Sequence, residues 1–201
     1  MDIVTTNERE VNNMSRSERN RRRTRVVVDK DTEVIVANLT HDAYSFESPN
    51  HDFSLNFDEF GEDDYLTYGQ LRVLKKQLEN FELLITEVTT PGVELYDVIQ
   101  GLHLTKQYND YLKYVEGLVE DEMNSIDYLD VVALEDFIEE ADEDEFASAL
   151  DSKIRTSVIE TSVALYKRGE LNDRYKIIDI QNTRPKSEAE DFWRDIDASI
   201  E

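Results

Sequence analysis

The sequence predicts an α+β fold: a small antiparallel β-module packed with one helix, followed by a bundle of short α-helices, with extended termini. Two observations predict this class. Runs of β-branched and aromatic residues concentrate between residues 25 and 88, a composition typical of strands. Beyond residue 93, apolar residues recur at helical spacing between capping residues and glycine or proline stops. The predicted units are a flexible basic arm (residues 1–24), the β-module (25–90), the helical bundle (91–184) and a C-terminal amphipathic helix (185–201).

Five short runs in the β-module have strand character. Arg25–Asp29 and Glu33–Leu39 are separated by the polar stretch 30–32, which suits a hairpin turn. Ala43–Phe46 and Phe53–Phe57 follow turn-rich segments, and Phe81–Val88 is interpreted as a strand that returns to the sheet. Because so small a sheet is unstable alone, we expect a helix to cover one of its faces.

That covering helix is predicted as Tyr68–Leu78. Thr67 and Gln70 have the spacing of a capping box, and Leu66 with Leu71 fits the flanking hydrophobic staple. Apolar residues then recur at helical spacing to the end of the segment. The acidic residues that precede it are expected to form a turn that ends the sheet.

Local capping signals predict the helices of the bundle. Val93–Gly101 and Tyr108–Val119 carry apolar residues at near-helical spacing. The predicted caps beyond them are Asp130, the Asp142/Glu145 capping box, Ser152, and Asn172 or Asp173. Gly169, which follows two cations, and Pro185 are the expected stops.

Charge is distributed unevenly along the chain. The total is −24, yet residues 1–25 hold seven arginines and four acidic residues, a net +3, which leaves −27 for residues 26–201. A body this acidic repels free nucleic acid. The arm ends in a basic cluster that can bind phosphates, an acidic protein surface or the acidic body of a neighbouring copy, or can act as a solubilising tail. This arginine cluster comprises Arg16, Arg19, Arg21, Arg22, Arg23 and Arg25.

The last segment is predicted to form an amphipathic helix that begins with a Ser187/Glu190 capping box. One face carries apolar residues and the other is nearly all acidic. The apolar face either docks on the protein's own bundle or lies in a groove on a partner, with Trp193 as the anchor. The candidate partner-binding residues are the arginine cluster together with Phe192, Trp193, Ile196 and Ile200.

The sequence gives little support to catalysis or to a metal or cofactor site. His41, His51 and His103 lie in loop-like settings without a helical HxxxH pair. The chain has no cysteine, no phosphate-cradling glycine loop and no GxSxG elbow. Two acidic runs lack the ligand spacing of an EF-hand. No apolar run approaches the length of a membrane span, and the N-terminus lacks the apolar centre of a signal peptide. We therefore expect a soluble, intracellular, non-enzymatic protein without a cofactor.

Two parts of the chain resemble a known group of proteins. The first contains VANLT (Val36–Thr40), EFG (Glu59–Gly61) and YLT (Tyr65–Thr67), then an amphipathic helix that returns to a strand. The second joins LEDFIEEADEDEFASALD (Leu134–Asp151) to LNDRYKIIDI (Leu171–Ile180) through a helix and a glycine turn. This order, over residues 26–182, resembles a loosely defined group of structural and assembly proteins of tailed bacteriophages. The resemblance implies a β-module followed by a helical part, with no catalytic residues to transfer.

The expected function combines this resemblance with the missing catalytic pattern. We expect a virion protein, made in the cytoplasm of the bacterial host, that decorates or cements the capsid or sits at the head–tail junction. Its expected partners are capsid, portal or neck subunits, with multiple copies per assembly and the basic arm contacting either protein or packaged nucleic acid. The alternative is an acidic inhibitor that mimics nucleic acid and blocks a host DNA- or RNA-binding protein. A cation-binding regulator is a third hypothesis.

Overall fold

The computed structural model describes residues 27–119, 122 and 125–200, and of Ile200 only the backbone. It has the α+β architecture that the sequence predicts. The strands are β1 (Glu33–Asn38), β2 (Tyr44–Glu47), β3 (Ser54–Phe57), β4 (Asp63–Thr67) and β5 (Leu83–Val88). They form an antiparallel three-stranded sheet with the order β4-β1-β5 and a separate two-stranded ribbon, β2-β3.

β1 is the central strand of the main sheet because its apolar side chains can be buried. Val34 and Val36 are fully buried, and Val34 lies opposite Leu66 of β4 and Val88 of β5. Strands rich in β-branched residues favour such a central place. The predicted strands over residues 33–39, 43–46, 53–57 and 81–88 are confirmed.

The third strand of the main sheet is one that the sequence analysis missed. The acidic stretch Asp63–Thr67, expected to be a turn, is the edge strand β4, in which Leu66 is buried while Asp63 and Asp64 stay exposed. Charged residues on an edge strand protect it from pairing with other chains. The low strand propensity of aspartate therefore does not exclude this position.

The predicted hairpin between Arg25–Asp29 and β1 is wrong. Val27–Asp29, the described part of that run, is not a strand. Both edges of β1 are already occupied by β4 and β5. The carbonyl oxygen of Thr32 instead accepts a hydrogen bond from the Tyr68 amide at 2.8 Å, which joins this segment to the start of the first helix.

The predicted helix Tyr68–Leu78 is two shorter helices, α1 (Tyr68–Leu71) and α2 (Lys75–Glu79). Its capping box is confirmed, since the Thr67 hydroxyl accepts from the Gln70 amide and the Gln70 side chain accepts from the Thr67 amide. The break between the helices lets the chain cross the sheet, because α1 contacts β4 and α2 contacts β5. The covering role is confirmed, whereas the single continuous helix is not.

Eight further helices follow β5 in the described chain. They are α3 (Leu95–Gly101), α4 (Thr105–Tyr114), α5 (Ala133–Glu140), α6 (Glu143–Leu150), α7 (Arg155–Arg168), α8 (Arg174–Asn182), α9 (Lys186–Ala189) and α10 (Phe192–Ile200). α7 lies at the centre of the bundle, because it packs against α5, α6 and α10. Buried side chains of the sheet and the helices form one hydrophobic core. None of the described helices combines the length and apolar character that crossing a bilayer requires.

Several predicted helix ends are confirmed. The Asp142/Glu145 capping box opens α6, and the Asp173 carboxylate caps α8. Gly169 follows the last residue of α7 with a φ of +76°, the left-handed conformation that favours glycine at this position. α8 ends shortly before Pro185, as predicted.

Two predicted caps lie ahead of the helices they were expected to open. The helices after Asp130 and Ser152 begin later, at Ala133 and Arg155. Each polar side chain accepts a hydrogen bond from the backbone amide two residues on, so it stabilises a turn before the helix and leaves the first helical turn without a side-chain cap.

Two further boundaries differ from the prediction. Ser187 and Glu190 form no capping box, because α9 already begins at Lys186, directly after Pro185. The helix predicted over residues 108–119 is α4, which ends at Tyr114.

Candidate binding cleft

A cleft of about 630 Å³ opens between the β-module and the helical bundle. One wall is the segment 39–42, which follows β1, together with Phe60. The opposite wall is the face of α7 from Ser157 to Arg168, and the lining also includes Phe81, Leu134, Arg184, Phe192 and Ile196. This volume lies within the usual range of ligand sites.

The first wall is held in place by Asn38, a fully buried residue at the end of β1. Its side-chain amide donates to the carbonyl oxygen of Glu59 at 3.0 Å, and its side-chain oxygen accepts from the Thr40 amide at 2.9 Å. The Gly61 amide donates to the Asn38 carbonyl oxygen at 2.9 Å. The VANLT and EFG stretches are therefore joined directly, and together they position one side of the cleft.

His41 lies on this wall in a constrained setting. Its ring stacks on that of Phe60 with centroids 4.7 Å apart, and its Nδ1 lies 3.6 Å from a carboxylate oxygen of Glu135. Burial lowers the pKa of His41, and nearby Arg168 lowers it further, which outweighs the opposite effect of Glu135 and Asp42. Protonation of the imidazole is thus disfavoured in the folded protein. Its buried Nε2 has no hydrogen-bond partner among the described residues.

Arg168, at the end of α7, is an already neutralised cation. Its guanidinium donates to Glu135 at 2.9 Å and also to Glu170. Because these carboxylates balance its charge, we expect it to orient Glu135 and His41 rather than to bind an anion.

Two other cations of the cleft have no such pair. No ion pair joins Lys167 or Arg184 to a carboxylate in the part of the chain that the structure describes. The Arg184 guanidinium carbon lies 4.5 Å from the ring centroid of Phe192, and its buried Nε lacks a hydrogen-bond partner there. Burial raises the pKa of nearby Glu160, as does Glu82, while Arg184 acts in the opposite direction. The cleft lining thus places Lys167 and Arg184 beside the carboxyl groups of Asp42 and Glu160, within a strongly acidic body.

The predicted C-terminal helix (185–201) is divided into α9 and α10, and α10 docks on its own bundle, which was one of the two alternatives. Trp193 is buried, and its Nε1 donates to the Ile177 carbonyl oxygen at 3.0 Å. The Trp193 and Tyr166 rings lie 4.4 Å apart, and the Tyr166 hydroxyl donates to Asp197 at 2.9 Å. In this arrangement Trp193 is not presented to a partner.

The other candidate partner-binding residues divide into two groups. Phe192 and Ile196 line the cleft, so they form part of a groove in this protein instead of inserting into a groove elsewhere. The side chain of Ile200 and the arginine cluster (Arg16, Arg19, Arg21, Arg22, Arg23 and Arg25) lie outside the described residues.

Sequence reasoning missed most of the cleft because its residues are far apart in the chain. His41 has no local partner in the sequence, yet the fold brings it to Glu135, almost a hundred positions away. Arg184 belongs to no recognisable sequence motif. One sequence signal did point to the cleft. The VANLT and EFG stretches, which together form one wall, are both motifs of the resemblance to phage proteins.

The arrangement suits binding of a group that is partly apolar and partly anionic. Among the described residues, no group of three or more histidine or acidic side chains is placed to hold a metal ion. Comparisons with protein-family models, with curated proteins and with solved structures find no match to this chain.

Proposed function

We propose that this chain is a non-enzymatic structural protein of a tailed-bacteriophage virion, which decorates or cements the capsid or sits at the head–tail junction. The observation that carries the docking part of this proposal is the cleft beside α10. Its lining combines apolar side chains, including Phe192 and Ile196, with Lys167 and Arg184, which form no ion pair among the described residues. The virion part rests on the resemblance of residues 26–182 to phage assembly proteins.

The cleft suits a segment of a neighbouring subunit. Apolar side chains of that segment would bury against the apolar lining of the cleft, and an acidic side chain would meet Lys167 and Arg184. Residues 26–201 carry a net charge of −27. In such an acidic body, Lys167 and Arg184 would determine where an acidic segment docks and in which orientation. The arginine cluster supplies a second contact, to a capsid, portal or neck subunit or to packaged nucleic acid.

The decisive experiment locates the chain in purified phage particles by mass spectrometry and cryo-electron microscopy. We expect it in multiple copies, with density of a neighbouring subunit in the cleft. Particles that contain no trace of the chain would contradict the virion assignment.

A pair of matched variants tests the role of the cleft in the particle. Ala164 lines the cleft on α7, whereas Ala198 is exposed on α10. Ala164→Gln places polar bulk on the α7 wall of the cleft, so we expect reduced incorporation into particles, while Ala198→Gln is incorporated normally. Equal incorporation of the two folded variants would show that docking does not use the cleft.

One observation favours the alternative of an acidic inhibitor that mimics nucleic acid. Six carboxylates lie exposed around the junction of α5 and α6, namely Glu139, Glu140, Asp142, Glu143, Asp144 and Glu145. If the chain is such a mimic, the immobilised protein retains host nucleic-acid-binding proteins, and free DNA or salt releases them. A virion protein is not expected to retain them.

A further inference from the structure

A row of four side chains, three of them exposed and Ile35 half-buried, crosses the face of the main sheet opposite Val34 and Val36. Ile35 of β1 pairs with Tyr65 of β4 on one side and with Glu87 of β5 on the other, and Glu87 forms a bridge with Tyr128. Because directly paired residues project from the same face of a sheet, these four side chains lie side by side. Tyr65 is 63% exposed and Tyr128 is 55% exposed. We call these four residues the tyrosine row.

Three carboxylates lie within the tyrosine row or next to it. Glu87 is part of it, Asp63 pairs with the small residue Ala37 next to it, and Asp130 follows Tyr128 closely in the chain. The pKa of the Tyr128 hydroxyl is raised by burial first and then by Asp130, Asp63 and Glu87, so all three act on it electrostatically. None of these carboxylates forms an ion pair within the described ranges.

This surface has the chemistry that recognises guanidinium groups. Tyrosine faces attract cations, and arginine stacks on them through its planar group. Carboxylates beside the rings can accept two parallel hydrogen bonds from the same guanidinium. The opposite face of the sheet is different, since Val34, Val36 and Leu66 bury there in the core.

We propose that the arginine cluster Arg16–Arg25 of the same chain docks on the tyrosine row. The cluster is the most basic stretch of the sequence, whereas residues 26–201 carry −27. A ten-residue segment spans roughly 30 Å when extended, and three inter-strand spacings span about 14 Å, so the cluster is long enough to cross the whole row.

The covalent connection favours the chain's own arm over that of a second copy. The described chain begins at Val27, which is 90% exposed, and β1 starts at Glu33. Arg25 is thus ten positions from Ile35 of the row. A connection this short gives the arm an effective concentration on the order of millimolar at the row, far above usual protein concentrations.

Paramagnetic labelling of the full-length protein tests this docking. The chain contains no cysteine, so Ser17→Cys provides a single position for a spin label within the arm. We expect strong broadening of the amide signals of Tyr65, Glu87 and Tyr128. Tyr175, which is 62% exposed on α8, serves as the control and keeps its signal. The broadening should disappear at about 1 M salt, where the Debye length is about 3 Å.

Two further measurements decide between the possible occupants. In a mixture of isotope-labelled chain without spin label and spin-labelled chain without isotope, broadening at the row would show that a second copy supplies the arm, which would overturn the proposal. Tyr65→Thr with Tyr128→Thr keeps strand propensity and should abolish the broadening, whereas Tyr175→Thr should not. Unchanged broadening in the folded double variant would also overturn the proposal. The inference concerns the isolated chain and does not depend on the virion assignment. In a particle, contact of the arginine cluster with another subunit or with packaged nucleic acid would require the arm to leave the tyrosine row.

Discussion

The ammonium group of Lys176 in α8 donates a hydrogen bond to the carbonyl oxygen of Ile138 in α5 at 2.7 Å. A second bond, at 3.1 Å, reaches the Glu139 carbonyl oxygen. Lys176 is only 3% exposed, and its ammonium lies 5.7 Å from the ring centroid of Phe146 in α6. A cation at the C-terminal end of a helix is favoured by the helix dipole. One buried lysine thus joins three helices of the bundle.

Lys176→Met is expected to destabilise the protein by about 1–3 kcal/mol, because it leaves two carbonyl oxygens near the end of α5 without their donor. The measurement is chemical denaturation followed by circular dichroism. Lys106→Met on the exposed side of α4 is the matched control and should change stability by less than about 0.5 kcal/mol. Equal effects of the two substitutions would show that the buried hydrogen bonds add nothing.

Asn38→Asp is expected to lower the free energy of unfolding by more than about 2 kcal/mol. The substitution keeps the shape and the acceptor for Thr40, but it turns the donor to the Glu59 carbonyl oxygen into a buried negative charge. Asn56→Asp, at an exposed position of β3, is the control and should cost less than about 1 kcal/mol. Similar losses in both variants would contradict the positioning role of Asn38.

Gly101→Ala tests a close approach between α3 and α1. A Cβ at Gly101 would lie 2.6 Å from the Tyr68 hydroxyl oxygen. Alanine normally stabilises a helix relative to glycine by up to about 1 kcal/mol, whereas here we expect a loss of about 1–3 kcal/mol from overpacking. The measurement is thermal and urea denaturation.

The Tyr68→Phe background provides the control for this clash, because it removes the nearest atom. The cost of Gly101→Ala should be smaller in that background than in the wild type. An unchanged cost would mean that the hydroxyl of Tyr68 is not the obstacle.

His41→Gln should flatten the pH dependence of stability. Burial keeps the pKa of His41 in the folded protein below the ordinary value of 6.5, so between these two pKa values the unfolded chain binds more protons than the folded one. Stability therefore rises with pH in that window and falls as the pH drops below 6.5. Unfolding free energies between about pH 7.5 and about pH 5.5 should show a smaller loss in the variant.

Other titrating groups do not disturb this comparison. Burial raises the pKa values of Glu116 and Glu160, which favours the folded state as the pH falls. Both carboxyls are present in both proteins, so their effect cancels in the difference. Identical pH dependence in the two proteins would contradict the suppressed protonation of His41.

The parts of the fold that could be predicted from sequence depend on contacts within a few residues. The Thr67/Gln70 and Asp142/Glu145 capping boxes are such contacts, and both helices begin where they indicate. β4 was missed because Asp63 and Asp64 occupy the sheet edge through pairing with β1, a long-range contact that overrides local propensity.

The cleft and the buried lysine escaped prediction for a related reason. His41 meets Glu135, and Lys176 meets Ile138, through the packing of separate elements. Neither partner can be inferred from spacing along one helix. The C-terminal helix shows the same limit, because an amphipathic pattern predicts that an apolar face is buried without saying which surface buries it.

Trp193→Ala distinguishes between the two surfaces that could bury α10, namely the protein's own bundle and a groove on a partner. If α10 is part of the core as the structure has it, the substitution removes the contact with Tyr166 and the hydrogen bond to Ile177, and stability should fall by about 3–5 kcal/mol. Ile178→Ala on α8, at a side chain that is 41% exposed, is the control and should cost far less. Circular dichroism in urea gives both values. A near-zero effect of Trp193→Ala would mean that α10 contributes little to the fold and is available for a partner's groove, because a helix that leaves its own bundle easily can bury the same face elsewhere.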